Sequence, residues 1–285
     1  MKQIAIACIA LFLFVTAFAQ NKNTLLWKVE GNGLTEPSYL YGTLHLVCPQ
    51  DLVIDSAIAR AFAKTNALFL EVKLDDPAVM LTFQKAMMVT DKQNWHSLLD
   101  STKLATLSAN FKQVAKFEFS NTKALKPFAV ASILLPGLLG CTPASWEQEF
   151  MKLAKQKKKE VIGLETAERQ AEALNYLTIP QQAEMVQEML LNVDSSRHEF
   201  QKLIQLYKTK NLEGLYKLMN TNDKKYANFE LELLIKRNQE WIPVIAAAAK
   251  KQPSFFAFGA GHLGGEQGVI QLLQKQGYIV TPINY

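Results

Sequence analysis

The chain has 285 residues, 49% of them hydrophobic and 20% charged, with a formal net charge of +5. That length fits one large domain or one domain with an insertion, and so mild a charge excludes the strongly basic surface of an electrostatic nucleic-acid binder. Only Cys48 and Cys141 lie beyond the leading apolar run that holds Cys8, too few and too widely spaced for a structural zinc site.

Residues 1–19, MKQIAIACIALFLFVTAFA, carry a lone Lys2, an apolar run from Ile4, and Ala17-Phe18-Ala19 before Gln20. This is the pattern of a secretory signal peptide with an A-x-A cleavage site, and it is slightly short for a span of about 20 residues. The expectation is a mature chain, residues 20–285, that is periplasmic or secreted and has no membrane span. Export permits a disulfide between Cys48 and Cys141, although the sequence leaves that pairing open.

Three short apolar segments follow, LLWKVE (25–30), SYLYGTLH (38–45) and ALFLEVKL (67–74), with GNGLTEP as a turn between the first two. Helical spacing of Leu52, Ile58 and Phe62 places a helix between the second and third. Residues 77–155 read as helices punctuated by Pro127, Pro136 and Pro143, and Lys157-Lys158-Lys159 as a solvated helix end. A strand, EVIGLE (160–165), interrupts the helical pattern, which returns over 167–251. The chain closes with a strand at 254–260, a helix over 266–276 and a strand, YIVTPI. The predicted fold is α/β (α+β): a central mixed sheet built from N- and C-terminal strands, with a large helical insertion.

Two of the four histidines share a local grammar. YLYGTLH gives Gly42-x-x-His45, and FAFGAGH gives Gly259-x-x-His262, with Gly261 beside the second. Each follows an apolar strand at the point where a loop begins, and ligands of α/β sheets gather beyond the carboxyl ends of strands. Glycine there lets backbone approach a bound group closely. Glu71 ends LFLE and Glu165 ends VIGLE, while Glu266 follows His262 by four residues. Two neutral imidazoles with two or three carboxylates suit a divalent metal. Taken singly, each histidine also fits a hydrogen-bonded core position, and both glutamates fit ion pairs with Arg60, Arg169 or Arg237. His96 and His198, in polar surroundings near helix starts, read as surface residues. Gly259-x-Gly261-x-x-Gly264 matches the dinucleotide fingerprint, but no acidic residue or second crossover follows it, so a nicotinamide site is excluded.

LLWKVEGNGLTEPSYLYGTLHL, LFLEV, VIGLETAERQ, LLIKRNQEWI and FFAFGAGHLGGEQGVIQLLQKQGYIVTPI together resemble the TraB/GumN family, which includes TIKI membrane-associated metalloproteases. Gly264 stands where that family commonly has proline. The resemblance implies a fold related to erythromycin esterases and ChaN-like proteins, and a metal-dependent hydrolytic site acting on a peptide or protein. Carried over to this chain, His45, His262 and Glu165 are the candidate metal ligands for Mn²⁺, Co²⁺ or Zn²⁺. Glu71 is then the candidate general base, with Arg237 as oxyanion or carboxylate clamp and Asn238 orienting a neighbour. The alternative is a non-catalytic protein that sequesters an exported peptide or polysaccharide in the same cleft.

Overall fold

The computed structural model describes residues 23–90, 94–219 and 227–285; the expected signal peptide, 1–19, lies outside them. Strands β1 (Leu26–Gly31) and β2 (Ser38–Thr43) form the opening hairpin, and helix α1 (Ser56–Ala63) leads into β3 (Ala67–Leu70). Helices α2 (Pro77–Ala86), α3 (Leu104–Ala115), α4 (Pro127–Leu139) and α5 (Trp146–Gln156) precede β4 (Glu160–Gly163). Helices α6 (Ala167–Leu174), α7 (Ile179–Leu191), α8 (Val193–Lys208) and α9 (Leu212–Met219) come next. A short α10 (Ala227–Glu230) passes through a π turn, Leu231–Ile235, into α11 (Lys236–Lys251). Strand β5 (Ser254–Gly259), helix α12 (Val269–Lys275) and β6 (Tyr278–Pro282) complete the chain.

Among the described residues the strands form one sheet, in the order β4-β3-β5-β2-β1-β6. β4, β3, β5 and β2 run parallel, whereas β1 lies antiparallel to both β2 and β6. The expected mixed sheet is therefore present, assembled from both ends of the chain with β4 added from its middle. The register aligns Leu70 with Gly163 and Ala257, and Thr43 with Gly259. Four strand ends thus open on one edge of the sheet, and that single fact positions the site.

Alternate residues of the central strands face opposite layers, as the two-residue period of a strand requires. Tyr39, Tyr41, Leu68, Phe255 and Ala257 pack with α1 and α5 on one face. Leu40, Phe69, Phe256 and Phe258 pack against Trp241, Ile245 and Val269 of α11 and α12 on the other. The helical insertion holds its own core, centred on Phe111, Val130 and Val186. Among the described residues no helix is long and apolar enough to cross a membrane.

Two expectations need correction, and one question left open is answered. The helix after His262 begins at Val269 and not at Glu266, because Gly265 takes a left-handed φ of +81° and turns the chain first. Glu266 is left exposed. His96 is buried, 9% exposed, stacked on Phe119 and bonded through Nε2 to Thr122 Oγ1 at 3.1 Å; His198 is exposed. The cysteine pairing left open above is made: Cys48 and Cys141 are bridged, with Cα atoms 5.8 Å apart and 93 positions between them in sequence.

Candidate active site

The residues singled out from the sequence sit just past the ends of the four parallel strands. His45 lies two positions beyond β2, Glu71 one beyond β3, Glu165 two beyond β4, and His262 three beyond β5. Two backbone bonds, Leu164 N–H to Leu70 O and Glu165 N–H to Glu71 O, extend the β3–β4 pairing into the site. Helix α11 runs across this edge and contributes Arg237, Asn238 and Trp241; Trp241, one turn after Arg237, shares its face.

Glu71 is 5% exposed and fully bonded. One carboxylate oxygen accepts the Gly259 backbone N–H at 2.8 Å, and the other accepts Arg237 Nη2 at 2.6 Å and Gln170 Nε2 at 2.7 Å. A Cβ added at Gly259 would stand 3.3 Å from that first oxygen and 3.8 Å from His45 Nε2, so the backbone does make the close approach expected of this glycine. Gly261, buried in the turn Ala260–His262, is not among the residues with positive φ; that conformation falls to Gly265.

Arg237 is 3% exposed and spans the two buried glutamates. Nε lies 3.0 and 3.1 Å from the two Glu165 oxygens, and Nη2 lies 2.7 Å from Oε1. Glu165 also accepts Trp241 Nε1 at 3.2 Å. Nη1 donates to Leu233 O at 2.8 Å, within the π turn, and to His262 Nε2 at 3.2 Å. The extra backbone residue of a π turn re-aims the chain that follows and recurs at functional sites.

The His262 tautomer follows from its neighbours. Asn238 Nδ2 donates to Gln267 O at 2.8 Å, so its Oδ1 is the atom 2.6 Å from His262 Nδ1 and must accept a proton there. Nδ1 carries the hydrogen, and the Nε2 lone pair faces Arg237, which can only donate. Burial, together with the Arg237 charge, pushes His262 down to about 3, so the ring is neutral. Its plane lies against Trp241, with centroids 4.4 Å apart.

His45 stands at the rim with 62% of its side chain exposed. Nδ1 is 3.0 Å from Glu147 Oε1, and Nε2 is 3.9 Å from Glu71 Oε1. Desolvation opposes a charge on this ring, but the hydrogen bond and charge of Glu147, with the charge of Glu71, lift it to about 9. The carboxylates diverge although two of them share one guanidinium. Burial acts to raise Glu71, and the charge of Arg237, helped by that of His45 and by the Gly259 N–H, overcomes it, holding the group well below the usual range. Glu165 ends above its ordinary value, because burial and the Glu71 charge outweigh the Arg237 bonds.

The donor chemistry at the rim fits a divalent cation. His45 Nε2 and His262 Nε2 stand 3.9 and 4.0 Å from the same Glu71 oxygen, and the other nitrogen of each ring is anchored to an oxygen, the arrangement of metal-ligating histidines. Donors about 2.1 Å from a shared ion lie somewhat closer to one another than this. As the side chains stand, no three His, Cys, Asp or Glu groups among the described residues are gathered tightly enough to hold an ion, and Arg237 engages the His262 lone pair. Glu165 faces the guanidinium and not the histidines. Glu147, Gln170 and Trp241 were not singled out in the sequence. Trp241 is signalled by its i,i+4 spacing from Arg237, whereas Glu147 looks like an ordinary acid favouring a helix N-terminus.

The family model described as the TraB/PrgY/gumN family matches residues 25–282. Over 327 residues the chain is 23% identical to metalloprotease TIKI2 of Danio rerio, covering 92% of this chain and 61% of that protein. It is 24% identical to metalloprotease TIKI1 of Danio rerio, covering 90% of this chain and 63% of that one. With metalloprotease TIKI1 of Homo sapiens the identity is 21%, covering 90% and 61%. The chain thus spans about three fifths of the length of these relatives. No solved structure matches it.

Proposed function

The chain belongs to the TraB/PrgY/gumN family, and from that membership and the geometry of the strand ends we propose that it is an exported metal-dependent hydrolase of peptides or proteins. The observation that carries this reading is the approach of two anchored imidazoles, His45 and His262, to one oxygen of Glu71 at 3.9 and 4.0 Å. Relatives named metalloproteases support the reaction class, and the Cys48–Cys141 disulfide suits an oxidising compartment.

In this reading His45 Nε2, His262 Nε2 and Glu71 hold the ion, which is Mn²⁺, Co²⁺ or Zn²⁺. Once bound, a divalent ion polarises a scissile carbonyl and lowers the pKa of water. Glu71 is assigned to the ion instead of to general-base work. A carboxylate held far below neutral chiefly by Arg237 takes up protons poorly, whereas an efficient base has a pKa near the working pH. Arg237 fixes Glu71 and Glu165 through Nε and Nη2. Its Nη1, which donates to His262 Nε2, would be the donor available to a substrate oxygen if that nitrogen served the ion. Asn238 holds His262 in the tautomer that leaves Nε2 available. Glu165 serves as the counter-charge that keeps Arg237 in place.

The test uses purified protein dialysed with Mn²⁺, Co²⁺ or Zn²⁺ and incubated with a mixed peptide library, read by mass spectrometry. Metal-dependent cleavage that His262→Ala abolishes is the expected result. Saturable peptide binding without turnover would overturn the hydrolase and establish the sequestering alternative.

A further inference from the structure

Glu147 has no task in the site as proposed, yet both of its carboxylate oxygens are anchored. It is 5% exposed. Thr43 Oγ1 donates to Oε1 at 2.7 Å, Ser145 Oγ donates to Oε2 at 2.7 Å, and His45 Nδ1 lies 3.0 Å from Oε1. His45 is the opposite case: a ring on a loop with 62% of its side chain exposed. Holding such a side chain in one orientation costs conformational entropy, so the partner that holds it must itself be fixed.

The backbone around the pair is fastened as well. Val47 and Ala144 exchange hydrogen bonds, N–H to O at 3.1 and 2.8 Å, which join the loop after β2 to the loop before α5. One residue further along, Cys48 is bridged to Cys141. His45, Val47 and Cys48 are thus tied to Glu147, Ala144 and Cys141, three cross-links between two short segments about 100 positions apart in sequence.

We propose that Glu147 is the positioning residue of His45, and that the Cys48–Cys141 disulfide with the Val47–Ala144 bridge is the clamp that keeps its carboxylate in place. An ionised carboxylate only accepts, so the neutral His45 ring must carry its hydrogen on Nδ1. That leaves the Nε2 lone pair turned toward Glu71. The inference rests on the reading of His45 as a working group of the site, but its test does not depend on turnover.

The experiment records ¹⁵N spectra of histidine-labelled protein at a pH high enough for a neutral His45. The variants are Glu147→Gln, Glu147→Met and Cys48→Ser/Cys141→Ser, each checked for folding by circular dichroism. Wild type shows the Nδ1–H tautomer. Glu147→Gln keeps it, because an amide oxygen still accepts there, while Glu147→Met and the cysteine variant lose it. Zn²⁺ affinity by calorimetry follows the same order, falling roughly 10- to 100-fold for Glu147→Met and less for Glu147→Gln. An Nε2–H ring in wild type, or an unchanged tautomer in Glu147→Met, overturns the positioning role. An unchanged tautomer in the cysteine variant overturns the clamp. If Glu147→Met does not fold, Thr43→Val/Ser145→Ala strips the two anchoring hydroxyls and is judged by the same outcomes. A wild type that binds no Zn²⁺ counts against the metallohydrolase, and the ring spectra still decide the role of Glu147.

Discussion

Replacing Arg237 with methionine is the sharpest test of how the buried charges are balanced. Arg237, Glu71 and Glu165 expose only 3, 6 and 4% of their side chains, and one guanidinium serves both carboxylates. Methionine fills much of the volume but supplies no donor. Glu71 then keeps the Gly259 N–H and Gln170, and Glu165 keeps only the Trp241 indole. Breaking a buried ion pair from one side costs about 3–5 kcal/mol, and here two carboxylates lose the same partner, so the upper half of that range is expected at pH 8. The pH dependence has a definite sign. With Arg237 present, Glu71 lies below its ordinary value and stabilises the fold above the carboxylate range. Without it, burial drives both carboxyls above their unfolded values, so the folded mutant binds more protons and loses stability as pH rises through that window. Urea denaturation of both proteins at pH 5 and pH 8 measures this. The mutational cost should be smaller at pH 5 by about 1 kcal/mol or more, one pKa unit being worth about 1.4 kcal/mol. An equal cost at both pH values, or a cost under about 1 kcal/mol at pH 8, refutes the account of Arg237 as the neutralising partner of both acids.

Gly259→Ala puts a methyl 3.3 Å from a Glu71 oxygen and 3.7 Å from His262 Cδ2; Mn²⁺ affinity should drop by about tenfold while the melting temperature shifts little, and calorimetry beside a melting curve checks both. Gly265→Ala should instead strike the fold, by about 1–3 kcal/mol in urea, since its φ is +81° and the new Cβ would lie 2.3 Å from the Tyr216 ring. His96, pushed down to about 4 by burial and by the Lys123 charge, is neutral when folded and charges first in the unfolded chain. Stability should therefore fall as pH drops from about 6.5 to 4, by up to roughly 3 kcal/mol, and His96→Phe should flatten that slope in pH-dependent denaturation.

What the sequence disclosed, and what it withheld, follows from the range of each interaction. Strand ends are local events: an apolar run stops and a glycine or acid begins, so His45, Glu71, Glu165 and His262 could be placed at the ends of strands before their convergence was visible. Parallel registry then brings them to one edge, because β2, β3, β4 and β5 point the same way. Roles are another matter, since they depend on which partner reaches a group first. Glu165 and Glu71 end their strands alike, yet Arg237 arrives from α11 with its Nε and one Nη on Glu165, while Glu71 keeps an oxygen within about 4 Å of both imidazoles. His96 sits in KQNWHSLLD among polar neighbours, and only packing against Phe119, 23 residues away in sequence, buries it.

Glu147 shows the limit most clearly. In ASWEQEF it is an acid in the first turn of an amphipathic helix, a position that dipole and solvation explain without any ligand. Its difference from Glu149, two residues on, lies in what the fold places opposite. Glu147 meets the end of β2, with Thr43 and His45 on it, whereas Glu149 is paired at the surface with Lys152. That opposition is created by contacts spanning about 100 residues, the Val47–Ala144 bridge and the disulfide among them, and no local pattern encodes it. A site assembled from strand ends thus announces the residues that end strands, and conceals an acid such as Glu147 that only distant contacts bring opposite them.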